Sequence, residues 1–400
     1  MAKGRWNEKG TFDWMKTLNV ENVYFKILRE HPISRIRISQ ETGLNKMTVT
    51  NSVKTLLEQD IVCEIEQEES SVGRPPILLD LNPALGVLIG IEINILGCKI
   101  LVTDLSGKIL HQIIEETLGW NPKNLVEKVA EMVRTYQSDY RHWKRGVIGV
   151  GIALPGNYNH NTGVVEYIST MHDWDGFAIQ AAFQDAIPDV PVFFQNAGRA
   201  GAKGEIDFGA AALEADMAYV HGAMGLTLSM YSSQGIHVGD KGFTGRFGHI
   251  IIDVNGRLCL CGNKGCLEMY ASVGSLARAL YPGEDIGLKQ VENLLRRKEQ
   301  GEERLEKELE ELVTYLAVGI ANIVNCFNPE RVCIGNYLGM LLKGKEEPLN
   351  TAVNRLTLEH LRSDNRIFIS ALDQWGAAFG CISSVRNHLL GLTESWEADG

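Results

Sequence analysis

Between Gly248 and Glu268 one histidine and three cysteines fall in a single glycine-punctuated stretch: His249, Cys259, Cys261 and Cys266. An imidazole and three thiolates fill a tetrahedral zinc shell and leave no vacant position, which is the composition of a structural rather than a catalytic metal site. Gly256, Gly262 and Gly265 let the backbone fold round an ion. Four side chains committed to one metal must bring Gly248-His249 against Cys259-Leu260-Cys261-Gly262-Asn263-Lys264-Gly265-Cys266. The competing reading is three unrelated thiols and a core histidine. The other cysteines, Cys63, Cys98, Cys326, Cys333 and Cys381, sit among apolar neighbours and read as packing residues.

A chain of 400 residues exceeds one typical domain. Its net charge of −11 argues against nucleic-acid binding by the whole molecule, but the charge is uneven. Up to Thr55, ten basic residues oppose five acidic ones, so a small basic module precedes an acidic body. No apolar run approaches the roughly 18 residues of a membrane span. The polar start, Met1-Ala2-Lys3-Gly4-Arg5-Trp6, lacks a secretory stretch. The expected location is cytoplasmic.

From Val20 to Leu57 the pattern is helical. Val23, Ile27 and Leu28 share one face, and His31-Pro32 stops that helix. Ser34 caps a short second helix ending near Thr42, Gly43 supplies the turn with Leu44 beneath it, and Asn45 caps a third helix to about Gln59. Val49, Val53, Leu56 and Leu57 form its expected buried stripe. Helix, glycine turn, helix is the helix-turn-helix pattern. The third helix would present Lys46, Met47, Thr48, Thr50, Asn51 and Lys54 to a major groove, with Arg35 nearby. Residues 61–65 and 76–81 read as strands of a hairpin wing, and Gly73-Arg74-Pro75 would set Arg74 against a minor groove or a phosphate. Three-helix modules also serve as protein-docking units. The expected boundaries are 1–82 for a winged helix-turn-helix and 83–400 for the body.

The body alternates strands and helices. Residues 87–93 read as a buried strand, 98–110 as a hairpin, 125–136 as an amphipathic helix, and 146–153 as a strand ending in Pro155-Gly156. A second set starts at Met217, so an α/β fold of two related halves is expected.

The cysteine loop, Pro155-Gly156, Gly376-Ala377-Ala378-Phe379-Gly380 and the N-terminal module together resemble the ROK family of repressors, open reading frames and kinases. The layout is similar to its xylose- and N-acetylglucosamine-repressor branch. The resemblance implies a duplicated actin-like, sugar-kinase-type ATPase fold with a zinc loop over 249–268.

Against that family's kinases the chain departs at three places. The phosphate loop Asp-x-Gly-Gly-Thr is here Glu92-Ile93-Asn94-Ile95-Leu96. The second glycine-rich turn is His221-Gly222-Ala223-Met224-Gly225. The Asn-Asp pair, whose Asp takes the sugar proton, is Asn196-Ala197. No catalytic residue is therefore assigned, and no ATP is expected.

The resemblance places sugar contacts at Asn196, His249 and Glu268, with Thr170 and Trp174 as possible cleft walls. Arg246 stands where the family has a Glu. A guanidinium there favours an acidic sugar derivative, unless Arg246 pairs internally with Glu205, Glu166 or Asp173. The residues 302–325 offer a helix for a homodimer face or for the core. The leading reading is a DNA-binding repressor of carbohydrate genes with an inactive kinase-like sensor. The alternatives are a residual sugar kinase and a DNA-binding protein whose sensor no longer binds sugar.

Overall fold

The computed structural model describes residues 12–66, 77–116, 121–168, 171–210 and 216–389. Three helices lead: α1 (Phe12–Glu30), α2 (Arg35–Thr42) and α3 (Lys46–Glu58). Ser34 Oγ accepts from Arg37 N, and Gly43 ends α2 with φ 71°. Asn45 Oδ1 accepts from Thr48 N at 2.8 Å and starts α3. Val49, Val53 and Leu56 of α3 are fully buried, each contributing about 1.5–3 kcal/mol. Leu57, expected beside them, is half-buried because it lies off that stripe. Helix α1 starts well before Val20, since Met15, Lys16 and Thr17 are exposed and leave no apolar period to read.

Strands β1 (Ile33–Ser34), β2 (Val62–Glu66) and β3 (Ile77–Leu81) form an antiparallel sheet in the order β1-β3-β2. The expected wing tip, with Arg74, lies outside the described residues.

Two five-stranded sheets follow. The first joins β4 (Val87–Asn94), β5 (Gly97–Thr103), β6 (Ile109–Glu115), β7 (Val147–Leu154) and β10 (Val192–Asn196) in the order β10-β7-β4-β5-β6; a small hairpin of β8 (Asn157–Asn159) and β9 (Val164–Tyr167) stands beside it. The second joins β11 (Met217–Gly222), β12 (Leu226–Ser232), β13 (Gly235–Ile236), β14 (Arg331–Gly335) and β15 (Ile367–Ile369) in the order β13-β12-β11-β14-β15. Each is an antiparallel three-strand meander followed by two parallel additions, so the two halves share one topology.

Helices α4 (Pro122–Asp139) and α5 (Ile179–Ala186) belong to the first half, and α6 (Ala197–Phe208) leaves it. The second half holds α7 (Glu268–Ala271), α8 (Val273–Leu280), α9 (Leu288–Glu299), α10 (Glu303–Phe327), α11 (Asn336–Leu342), α12 (Glu346–Leu356) and α13 (Gly376–Leu389). By length and composition α10 could cross a membrane. Here Leu305, Leu309, Leu312, Leu316 and Ile320 are buried in the second half's core, so it is a core helix. Cys326, expected to pack, is exposed near its C-terminal end, whereas Cys98, Cys333 and Cys381 are buried and Cys63 is half-buried.

Two helices cross between the halves. Helix α6 packs on β11 and β12 of the second sheet, and α13 packs on β4 and β7 of the first. They meet through Gly204 and Gly380; a Cβ on Gly380 would lie 1.8 Å from the Ala200 carbonyl oxygen.

The far end of α6 reaches the N-terminal unit. Phe208 packs against a cluster that joins Val23, Tyr24 and Ile27 of α1 to Leu88, Leu101, Phe379 and Ile382 of the body. The half-buried Asp207 accepts from Ser383 Oγ and from Arg386 Nη2, and the Arg29 charge of α1 adds to the positive field around it. One apolar core thus runs from the helical unit into the first half.

Candidate functional site

Loops that leave strand ends converge on a cleft of about 750 Å³, counting its open mouth. The β4–β5 turn supplies Ile95, and the β10–α6 junction supplies Asn196 and Ala197. The β11–β12 turn supplies Ala223 and Met224, and the following segments supply Arg246, His249 and Glu268. Four of the five expected ligand contacts therefore share one cavity. The fifth, Thr170, lies outside the described residues. Trp174 is 1% exposed and belongs to the first half's core; it is too deep to be a cleft wall.

The side chains are unequally free. Asn196 Oδ1 accepts from Gly198 N at 3.0 Å and Arg199 N at 3.3 Å, which caps α6, and its Nδ2 donates to the Gly156 carbonyl at 2.8 Å. One N–H of its amide remains for a ligand. Glu268 Oε2 accepts from Leu226 N at 3.1 Å and keeps acceptor capacity facing the cleft. Ala197, buried at the first position of α6, presents a methyl group.

Deep in the cleft stands Glu92, where the kinase motif has its Asp. Its carboxylate accepts from Lys99 Nζ at 2.9 Å, Asn94 Nδ2 at 3.1 Å and Asn336 Nδ2 at 3.1 Å, with His221 Nε2 at 3.3 Å. Burial alone would raise its pKa; Lys99 and His221 outweigh that and hold it near 2. This carboxylate is thus answered by a buried ammonium of the same chain, which does not itself line the cleft.

His249 also faces the cysteine loop. Its Nδ1 lies 3.7 Å from Cys259 Sγ, and Cys261 Sγ lies 3.6 Å from Cys266 Sγ. All four ligand atoms fall within 4.8 Å of one another. Zinc bonds of ordinary length imply edges of roughly 3.5–3.8 Å in a tetrahedron, so the donor set and its two closest spacings fit zinc. Gly262 (φ 89°) and Gly265 (φ 73°) take left-handed conformations, and a Cβ on Gly265 would strike the Asp253 carbonyl. The cysteine loop and the cleft therefore share His249, and Cys266 and Glu268 lie two residues apart.

On the N-terminal unit, Lys46, Met47, Thr50, Asn51 and Lys54 are exposed on α3, Met47 by 70%. Thr48 is half-buried, and its N–H is used by the Asn45 cap. Arg35 Nη2 donates to Glu64 Oε1 at 2.5 Å, so its charge is partly answered within the unit. Lys54 lies 3.7 Å from Glu58.

Arg246 lies 5.4 Å (Cζ to ring centroid) from Phe243. None of the internal partners considered for it forms an ion pair with it, and two are engaged elsewhere. Glu166 accepts from Asn157 and Asn159, Glu205 accepts from Ser370 Oγ and Ala210 N, and Asp173 is exposed. Sequence reasoning missed Arg199, a 7%-exposed guanidinium whose charge is felt with that of Arg246.

The xylose repressor of Bacillus subtilis (strain 168) is 31% identical over 94% of this chain and 97% of its own length. A ROK family transcriptional regulator described as a homolog of the E. coli MLC protein superposes with TM-score 0.73 at 24% identity, covering 94% of this chain and 98% of that one. A ROK family glucokinase from Streptomyces griseus, solved with glucose and AMPPNP, superposes with TM-score 0.64 at 22% identity over 76% of this chain and all of its own, which establishes a sugar-kinase-like fold for the body. Residues 88–387 match the ROK family model, and the chain belongs to the ROK family.

Proposed function

We propose that this chain is a cytoplasmic, sugar-responsive transcriptional regulator, a repressor of carbohydrate-utilisation genes that binds operator DNA and does not phosphorylate sugar. One observation carries the reading. An exposed, basic and polar third helix belongs to a unit whose apolar core is continuous with a kinase-like body, and that body has an alanine in place of a catalytic base. A relative named a xylose repressor supports control of sugar genes.

In this reading residues 1–82 are a winged helix-turn-helix, and Lys46, Met47, Thr48, Thr50 and Asn51 meet base edges and phosphates while Lys54, Arg35 and Arg74 meet phosphates or the minor groove. Residues 83–400 are the sensor. Asn196, Arg246, His249, Glu268 and Thr170 contact a carbohydrate or acidic sugar. His249, Cys259, Cys261 and Cys266 hold a structural zinc that stiffens the cleft wall. Two or more copies present their third helices to paired half-sites.

Kinase chemistry fails at three places at once: Lys99 answers Glu92, Ile95 and Met224 fill the phosphate approaches, and Ala197 accepts no proton. Fluorescence anisotropy with the DNA upstream of the protein's own gene, at fixed salt and with a sugar panel, tests the reading. Specific binding altered by a sugar supports it, and absence of any specific binding overturns it.

A further inference from the structure

Arg199 stands in the first turn of α6, beside the cleft. Its Nη1 reaches the Gly242 carbonyl at a long 3.4 Å, and its Nε is buried without a hydrogen-bond partner. Gly242 sits against it. A Cβ there would meet Nη1 at an ordinary contact distance of 3.4 Å, and the left-handed backbone (φ 70°) is what favours glycine. Four residues on from Gly242, Arg246 lines the cleft.

Among the described residues neither guanidinium has an ion pair. Burial and the Arg246 charge pull the Arg199 pKa down to about 10, and burial lowers that of Arg246. His160 nearby is held toward its neutral form by burial and by the Arg199 charge, so the positive charge here rests on the two arginines. Two like charges beside one cleft, one with an orphaned buried N–H, are a costly arrangement unless an anion completes it. Guanidinium forks match the paired oxygens of a carboxylate or phosphate.

We propose that Arg199 and Arg246 form an acid-binding end of the cleft, and that the effector is a sugar carrying a carboxylate or a phosphate. The inference rests on the cleft being a sugar sensor. The aldose body would lie against Asn196 and Glu268, with its acid group directed toward Gly242.

Titration calorimetry of the full chain tests this with three groups of probes: neutral glucose and xylose; gluconate, glucuronate and xylonate; and glucose 6-phosphate. At least one acid is expected to bind about tenfold or more tightly than the neutral sugars. Whether carboxylates or the phosphate lead identifies the acid. Arg246→Gln, at the half-buried cleft edge, and Arg199→Gln each lower the ratio of acid to neutral-sugar affinity by about tenfold, while Arg199→Lys recovers part of it. Melting curves confirm that each variant is folded, and Arg246→Gln decides if Arg199→Gln is not. Acids that bind no tighter than neutral sugars, or a preference that survives Arg246→Gln, overturn the acid site and leave sugar sensing standing. Binding by none of the probes overturns both.

Discussion

Lys99 and Glu92 are cross-strand partners on β5 and β4, and their side chains meet at 2.9 Å with neither more than 1% exposed. Lys99 Nζ also donates to Asn336 Oδ1 at 3.1 Å and to the Gln374 carbonyl at 3.0 Å, both from the second half. The pair therefore ties the two halves together at the bottom of the cleft. Lys99→Met leaves a buried carboxylate short of its cation and should cost about 3–5 kcal/mol in urea unfolding. The Glu92→Gln/Lys99→Met double variant should recover most of that loss; a double variant as unstable as the single one contradicts this account.

The same pair sets an acid limit. Glu92 titrates near 2 when folded, against an ordinary 4.5. Its contribution is complete above the unfolded value and is lost as pH falls from about 4.5 through about 2. Stability of the native chain should drop more steeply across that window than stability of the double variant. Equal slopes would mean that Glu92 is not held ionised.

Restoring the missing base should not restore an enzyme. Ala197→Asp places a carboxylate at the start of α6, yet Glu92 stays paired with Lys99, and Ile95 and Met224 still line the cleft. Coupled-assay ATP turnover with a broad sugar panel should stay at background, and a measurable rate would show that the phosphate site is open.

Cys266→Ser should reduce bound zinc from one ion per chain to a small fraction, measured by atomic absorption, and lower Tm by several degrees. Sugar affinity should fall with it, because His249 belongs to both the metal set and the cleft wall. A fully metal-free wild type with unchanged Tm would remove the zinc assignment.

On DNA, Lys46→Ala and Lys54→Ala should each weaken binding and reduce the slope of log affinity against log salt by about 1 per lost phosphate contact. Asn51→Ala should instead change the preference among operator sequences. An unchanged salt slope in both lysine variants would place the DNA surface elsewhere.

The local features were legible because each depends on a few adjacent residues. Ser34, Gly43 and Asn45 announce their caps, and the spacing of His249 and three cysteines announces its cluster. The Glu92–Lys99 pair was also within reach. The tight turn at Ile95-Leu96 sets Asn94 opposite Gly97, and counting outward brings Glu92 opposite Lys99. Arg199 was not legible, because Ala197-Gly198-Arg199-Ala200-Gly201 reads as an ordinary small-residue helix start. Its hydrogen-bond acceptor, the Gly242 carbonyl, lies far along the chain. Trp174 and the shared core under α1 were hidden for the same reason, since both depend on contacts between distant segments.

Helix α6 begins at the cleft with Asn196 and Arg199 and ends at Asp207 and Phe208 under the N-terminal unit. At 12 residues it is a rod about 18 Å long, pinned midway where Gly204 and Gly380 let α13 cross it. Whatever factor a sugar imposes on operator affinity, the operator must impose on sugar affinity. A repressor seated on DNA would then read a given sugar concentration differently from one free in solution, so the number of operators in the cell becomes part of the calibration of the sensor.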